Sequence, residues 1–365
     1  MPGAGRTLAE VGGWPAVLGR LAAGEDLTST EAGAALREIL DGAATQSQMG
    51  AFIFGLRCKG ETASELSGML EAMLAVAETV PVPRQLASRL VDTCGTGGDR
   101  AGTINVSTIA ALIVAGAGVP VCKHGGRAAS SRTGSADVLE ALGVEIALPP
   151  ASVARCIEEA GIGFCFAPRY HPAMRHVGPT RRELGVPTAF NLLGPLANPG
   201  RARYQLVGVG DGRTAERVAA VLGQAGAQRA WVVHGEDGLD ELSTTGPSRV
   251  VEWQAGTGEG ALRSFLVDPA ALGLAPARAE DLKGGDPAGN AEAAKAVLAG
   301  EKGPHREISL LNAAATLVVV GHAEDLEEGL SYARQSVDSG RARASLERLV
   351  TLSQSEAAAA AATGT

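Results

Sequence analysis

The residues best able to do chemistry fall in a few short runs. Asp92-Thr-Cys-Gly-Thr-Gly-Gly-Asp99 places glycines where backbone N–H groups can come close to an anion. A helix following such a turn adds positive potential at its N-terminus. The run matches neither common nucleotide loop, since Arg100 stands where the dinucleotide fingerprint needs its third glycine, and no Gly-Lys-Ser/Thr follows. Taken alone it reads equally as a strand-to-helix turn or as a phosphate cradle. Next come Thr103 and Asn105-Val106-Ser107-Thr108. Their hydroxyls either cap the next helix or meet phosphate or a metal's water shell.

Lys123-His-Gly-Gly-Arg-Ala-Ala-Ser-Ser-Arg-Thr-Gly-Ser135 interleaves cationic side chains, hydroxyls and glycines. A solvated basic loop would have this composition, but its place after a strand favours wrapping a polyanion. Asp240-Glu241 offers adjacent carboxylates on a loop. That suits magnesium, which takes one or two carboxylates and leaves positions for substrate phosphates, although acidic surface loops are common. In His171-Pro-Ala-Met-Arg-His176 neither histidine has metal-site spacing, and a structural role is the simpler reading for both. Arg181 can clamp a carboxylate with two parallel hydrogen bonds or serve as a surface helix charge. Beyond it lies Phe190-Asn-Leu-Leu-Gly-Pro-Leu-Ala-Asn-Pro199.

Helices must begin the fold that positions these runs. Thr28 with Glu31, Thr45 with Gln48 and Thr62 with Glu65 are three successive capping boxes, each followed by apolar residues at helical spacing. Pro81-Val-Pro83 breaks that pattern. After it, predicted strands at Leu90–Cys94, Val119–Cys122, Tyr204–Val209 and Ala230–Val233 alternate with helical stretches at Val106–Gly116, Ser135–Leu142 and Thr214–Gln224. Such alternation predicts an α/β fold with a mainly parallel sheet covered by helices. Residues 290–321 read as helical, and the Ala-rich 356–365 as a frayed end.

The 365-residue chain is long enough for one large domain or two smaller ones. Aromatics make up 3% and glycines number 49, which suits parallel strands and helices better than an aromatic-cored sandwich. A net charge of −8 argues against a nucleic-acid binder, which usually shows a dominant basic face. Cys58, Cys94, Cys122, Cys156 and Cys165 form no zinc-spaced cluster, so buried, reduced thiols are expected. The start has no signal-peptide pattern, and the longest apolar stretches are too short to span a bilayer, so the expected setting is the cytosol with no membrane contact.

In series, GTGGD, NVST, KHG-x-R…GS-x-D, the F-N-x-L-G-P-L-x-N-P run and the Asp-Glu pair resemble the anthranilate phosphoribosyltransferase family, over nearly the whole chain to about Ser353. The resemblance implies transfer of the phosphoribosyl group of phosphoribosyl pyrophosphate to anthranilate, the second step of tryptophan synthesis from chorismate. It implies a helical domain over 1–84 completed by about 170–200, an α/β domain over 85–353, an Ala-rich tail over 354–365, and a homodimer formed through the helical parts. The donor is expected on Gly95, Gly98, Asp99, Thr103 and Asn105, Val106, Ser107 and Thr108. Lys123, His124, Gly125, Gly126, Arg127, Ala128, Ala129, Ser130 and Ser131, with Ser135, should close over it. Ser107, Asp240 and Glu241 should hold Mg2+, and Arg181 should meet the anthranilate carboxylate with Gly95 and His124 nearby. Two positions depart from the family pattern. Gly126 stands where the family usually has Asn, and Pro187 where it usually has Arg; both are expected on the acceptor side. They leave open a different aminobenzoate-like acceptor, and a nucleic-acid-binding relative of the same fold is the non-enzymatic alternative.

Overall fold

The computed structural model describes residues 6–99, 101–128, 133–256 and 262–363. Helices Ser29–Leu40, Gln46–Lys59 and Ala63–Ala75 start at Thr28, Thr45 and Thr62. At each, the threonine Oγ accepts from the N–H three residues on, whose side chain accepts from the threonine N–H in return. Their apolar faces, including Leu36, Ile39, Phe52, Ile53, Leu66 and Met69, are buried in one core. Glu65 also accepts from Leu27 N at 2.8 Å, which locks the third of these helices to the start of the first.

Strands β1 (Val91–Gly95), β2 (Val121–Gly125), β3 (Ile162–Phe166), β4 (Tyr204–Gly208), β5 (Arg229–Gly235), β6 (Ser248–Gln254) and β7 (Leu262–Val267) form one sheet in the order β3-β2-β1-β4-β5-β6-β7. The first five run parallel, while β6 and β7 are antiparallel, so the sheet is mainly parallel as expected. Side chains alternate across a strand. Leu206, Trp231 and Val233 therefore enter one core, and Val207, Ala230 and Val232 the other. Helices Val106–Gly116, Pro150–Ala160 and Pro304–Val319 cover the first face. On the second face, helices Ala189–Leu196 and Ala215–Gln224 join the N-terminal helices in a continuous core. Both faces being covered explains why these strands read as apolar runs rather than as alternating ones.

Four expectations are corrected. Strands β3, β6 and β7 were not foreseen. The stretch 290–321 is two helices, Pro287–Leu298 and Pro304–Val319, separated where Gly300 and Gly303 take positive φ. The Ala-rich end does not fray at Glu356, because the last helix runs from Arg341 to Thr363. Alanine favours the helix intrinsically, and Glu356 is tied down by Ser152 Oγ at 2.7 Å and by Arg155. Cys58 is exposed, whereas the other four thiols are buried as expected.

Candidate active site

In an open α/β sheet a crevice forms beyond the carboxyl ends of the strands, where the chain has wound outward in two directions. Here that point is β1, which lies between β2 and β4. The loops after β1 and β2 and the loop between β5 and β6 enclose a cavity of about 260 Å³ there. Gly95, Gly98, Asp99, Thr103, Asn105, Val106 and Ser107 line one side, and His124, Gly125, Gly126, Ala128 and Ser135 the other, with Asp240 and Glu241 completing the wall. The sequence therefore identified most of this cavity. Thr96, Gly97 and Thr133, inside the marked runs but given no role there, also line it, as do Gly102, Ile104 and Asn191. Asn191 lay inside a run noted as a whole, and nothing in its type marked it out.

Several expected donors sit differently. Lys123 is not on a covering loop. It lies within β2, 2% exposed, with Nζ donating to Thr93 O at 2.7 Å and to Ser107 Oγ at 3.4 Å, so it charges the cavity from below. Thr108 does not line the cavity; it is buried one helical position inward of Ser107, against the core. Arg127 lines the cavity, but its guanidinium is already paired with Asp137 and Glu140. Asp137 also accepts from Ala128 N and Gly134 N, pinning both ends of the loop between them. Ala129, Ser130 and Ser131 lie outside the described residues.

The acidic pair is held by backbone on both sides. Asp240 Oδ2 accepts from Gly97 N at 2.7 Å, and Glu241 Oε1 accepts from Ser107 N at 3.1 Å. Behind them, Asn312 accepts from Leu242 N at 3.0 Å and donates to Leu242 O at 2.9 Å. Burial, and then the charge of Asp99, pushes Asp240 up to about 7. Burial, and then Asp240, raises Glu241 well above the carboxylate range, while Lys123 opposes the shift. A methyl group on Gly95 or Gly208 would overlap Asp240, so glycine is required where the sheet passes beneath the pair. Gly208→Ala is expected to lower stability by about 1–3 kcal/mol through this overlap. Thermal melting measures it, and an unchanged midpoint would show that the loop moves aside freely.

A second cavity of about 600 Å³ adjoins the first and shares His124 with it. Met73, Ala167, Phe190 and Arg181 are among its lining residues. Arg181 stacks over the Phe190 ring at 5.4 Å and donates to Asn191 Oδ1 at 3.4 Å. Met73 comes from the N-terminal helices, a contribution that no local sequence signal reveals. His171 also lines this cavity, with Nε2 against Ala197 O at 2.9 Å. Its ring lies 5.1 Å from that of His124. Burial, and then His171, draws His124 down to about 3, so it stays neutral, and its Nε2 has no partner. Asp92, at the edge of the first glycine run, fixes the junction by accepting from Asn198 Nδ2 at 2.6 Å and from His124 N at 3.3 Å.

The two departures from the family pattern separate in space. Gly126 lines the first cavity, and a Cβ there would come no closer than 3.9 Å to Ala167, which lines the second. Pro187 does not line the cavity that holds Arg181. It lines a different cleft with Arg57, Arg213 and Arg217.

Residues 15–77 match the glycosyl transferase family helical bundle domain, and residues 87–343 the glycosyl transferase family a/b domain. An anthranilate phosphoribosyltransferase of Roseiflexus castenholzii is 54% identical over 90% of this chain and 95% of its own. Another, from Rhodopseudomonas palustris, is 50% identical over 93% and 98%. The chain belongs to the anthranilate phosphoribosyltransferase family. The crystal structure of the Thermus thermophilus anthranilate phosphoribosyltransferase is 43% identical, with a TM-score of 0.86 over 93% of this chain and 99% of that one. The Saccharomyces cerevisiae anthranilate phosphoribosyltransferase in complex with PRPP and Mg is 28% identical, with a TM-score of 0.84 over 94% and 98%.

Magnesium fits the residues present. Asp240 and Glu241 are hard oxygen donors that burial holds back from ionising, with Asp99 adding to the effect on Asp240 and Asp240 to that on Glu241. Among the described residues no three His, Cys, Asp or Glu side chains form a metal site of their own. Two carboxylates beside a cavity lined by glycine loops and hydroxyls match the habit of an ion that shares its coordination with phosphates and water.

Proposed function

We propose that this chain transfers the phosphoribosyl group of phosphoribosyl pyrophosphate to the amino nitrogen of anthranilate, giving N-(5-phosphoribosyl)anthranilate and pyrophosphate. The observation that carries the reading is the meeting of two unlike cavities at His124. One is built of glycine loops, hydroxyls and an acidic pair, and the other is largely apolar with the guanidinium groups of Arg175, Arg181 and Arg182 in its wall. The first suits a phosphorylated sugar, and the second a flat aromatic acid.

In this reading the backbone of Gly95, Gly98 and Asn105–Ser107, with Lys123 beneath, binds the donor. Asp240, Glu241 and Ser107 hold Mg2+, which when bound offsets the charge of the departing pyrophosphate. Arg181 fixes the acceptor carboxylate, and the apolar walls orient the ring so that its amine faces the anomeric carbon. The C–N bond forms as the C–O bond to pyrophosphate breaks, and the amine proton is released. An aromatic amine is neutral and nucleophilic at pH 7, so holding the two reactants in line supplies most of the help. The proposal includes a cytoplasmic setting and a homodimer through the helical parts, where Phe54 is half exposed. No helix among the described residues is long and apolar enough to cross a membrane.

The test is anthranilate fluorescence followed with purified protein, phosphoribosyl pyrophosphate and magnesium, and with each omitted in turn. Signal loss that requires all three supports the reading, and no loss in a folded protein sinks it. Gly126 favours one variation, a bulkier or substituted aminobenzoate. The open space at its Cβ position admits an asparagine, so Gly126→Asn is expected to lower the Michaelis constant for anthranilate and leave that for the donor unchanged. A substituted aminobenzoate turned over better than anthranilate by the wild type would instead identify Gly126 as an adaptation to that acceptor.

A further inference from the structure

The segment Arg278–Asn290 lies outside every run that the sequence marks for chemistry, yet it braces the donor cavity. Its backbone pairs with that of residues 101–104. Ile104 N donates to Leu282 O, Gly284 N donates to Gly102 O, and Thr103 bridges Lys283. A closed ring of hydrogen bonds then joins three distant parts of the chain. Asn290 Nδ2 donates to Asn105 Oδ1 at 2.8 Å, and Asn105 Nδ2 donates to Thr133 O at 3.1 Å. Thr133 Oγ1 donates to Gly285 O at 2.9 Å, and Gly285 N donates back to Asn290 Oδ1 at 2.7 Å. Asn290 is 2% exposed, and a methyl on Gly284 would press against its amide oxygen, so the ring is packed as well as bonded.

From this geometry we infer that Asn290 is a positioning residue of the donor cavity, acting through Asn105 and Thr133. Asn105 and Thr133 both line that cavity, and Asn290 does not line it. A buried amide used at both ends fixes direction as well as distance, because reversing any one group leaves two donors or two acceptors facing each other. The ring therefore sets the angle at which the turn before the 106–116 helix meets the return of the loop that ends at Ser135. Its work is confined to the donor: the second cavity shares none of its residues.

The inference rests on the function proposed above, and the experiment separates the two. Asn290→Asp keeps the acceptor for Gly285 N and the shape of the side chain but cannot donate to Asn105. It is expected to weaken donor binding about tenfold, the size of one or two lost buried hydrogen bonds, with the Michaelis constant for anthranilate within twofold of wild type. Thr133→Val opens the same ring from another segment and carries the test if a buried carboxylate prevents folding. Donor affinity is read by calorimetry with phosphoribosyl pyrophosphate alone, and acceptor constants by fluorescence. The double variant should bind the donor no worse than the weaker single one, because a ring once opened has little left to lose. Donor affinity within twofold of wild type in Asn290→Asp or Thr133→Val, or equal losses for donor and acceptor, overturns the role of Asn290. Absent wild-type turnover of anthranilate overturns the functional reading beneath it.

Discussion

Asp240→Asn and Glu241→Gln are each expected to cut turnover by about two to three orders of magnitude, the scale seen when one charge-stabilising group is removed from an active site. Each amide keeps the hydrogen bond now made by the carboxylate, from Gly97 N in one case and from Ser107 N in the other, so the loops should hold their shape. What is lost is the negative charge that attracts a divalent cation, and more magnesium should be needed for half-maximal rate. Stability should move the other way. Burial, and then Asp99, holds Asp240 at about 7, above its ordinary range. Its favourable contribution is complete below that ordinary range and is lost as pH rises through about 7. Without magnesium, Asp240→Asn should therefore melt higher than wild type at pH 8, and the gap should shrink at pH 5. Turnover within threefold of wild type, or a variant that melts lower at pH 8, would count against this view of the pair.

Arg181→Ala should raise the Michaelis constant for anthranilate by about tenfold to a hundredfold, as removal of a charged hydrogen-bond partner does. The donor constant should stay near wild type, because Arg181 lines only the second cavity. Arg181→Lys should recover part of the loss, since an ammonium keeps the charge but neither the flat two-pronged fork nor the stacking on Phe190. Steady-state kinetics with each substrate varied in turn decide it. A rise shared equally by both constants would mean that Arg181 supports the fold between the cavities rather than the acceptor.

The sequence was most legible where local chemistry decides structure. The three threonine caps and their apolar faces needed no tertiary knowledge. The glycine runs after β1 and β2 followed from what backbone N–H groups need in order to approach an anion. Legibility failed where position depends on partners far along the chain. Lys123 reads as a loop cation because its neighbours are glycine and histidine, but strand pairing with β1 and β3 draws it into the sheet. Arg127 looks free until Asp137 and Glu140 come round on the next helix. Asn290 carries no local mark, since an asparagine inside a helix usually faces water. Strand β7 was missed for another reason: it is mostly exposed, so it lacks the apolar run that marks a strand covered on both faces.

The last helix has a consequence for how the molecule is made. Residues 341–363 pack against the 106–116 and 150–160 helices, and Glu356 reaches back to Ser152 and Arg155, about two hundred positions earlier. The layer over the β1–β3 half of the sheet therefore stays open until the closing residues have emerged from the ribosome. Until then the apolar flanks of those two helices remain uncovered, as aggregation-prone surface on a nascent chain. Products stalled or terminated before residues 341–363 are made should accordingly depend on chaperones more than those that include them.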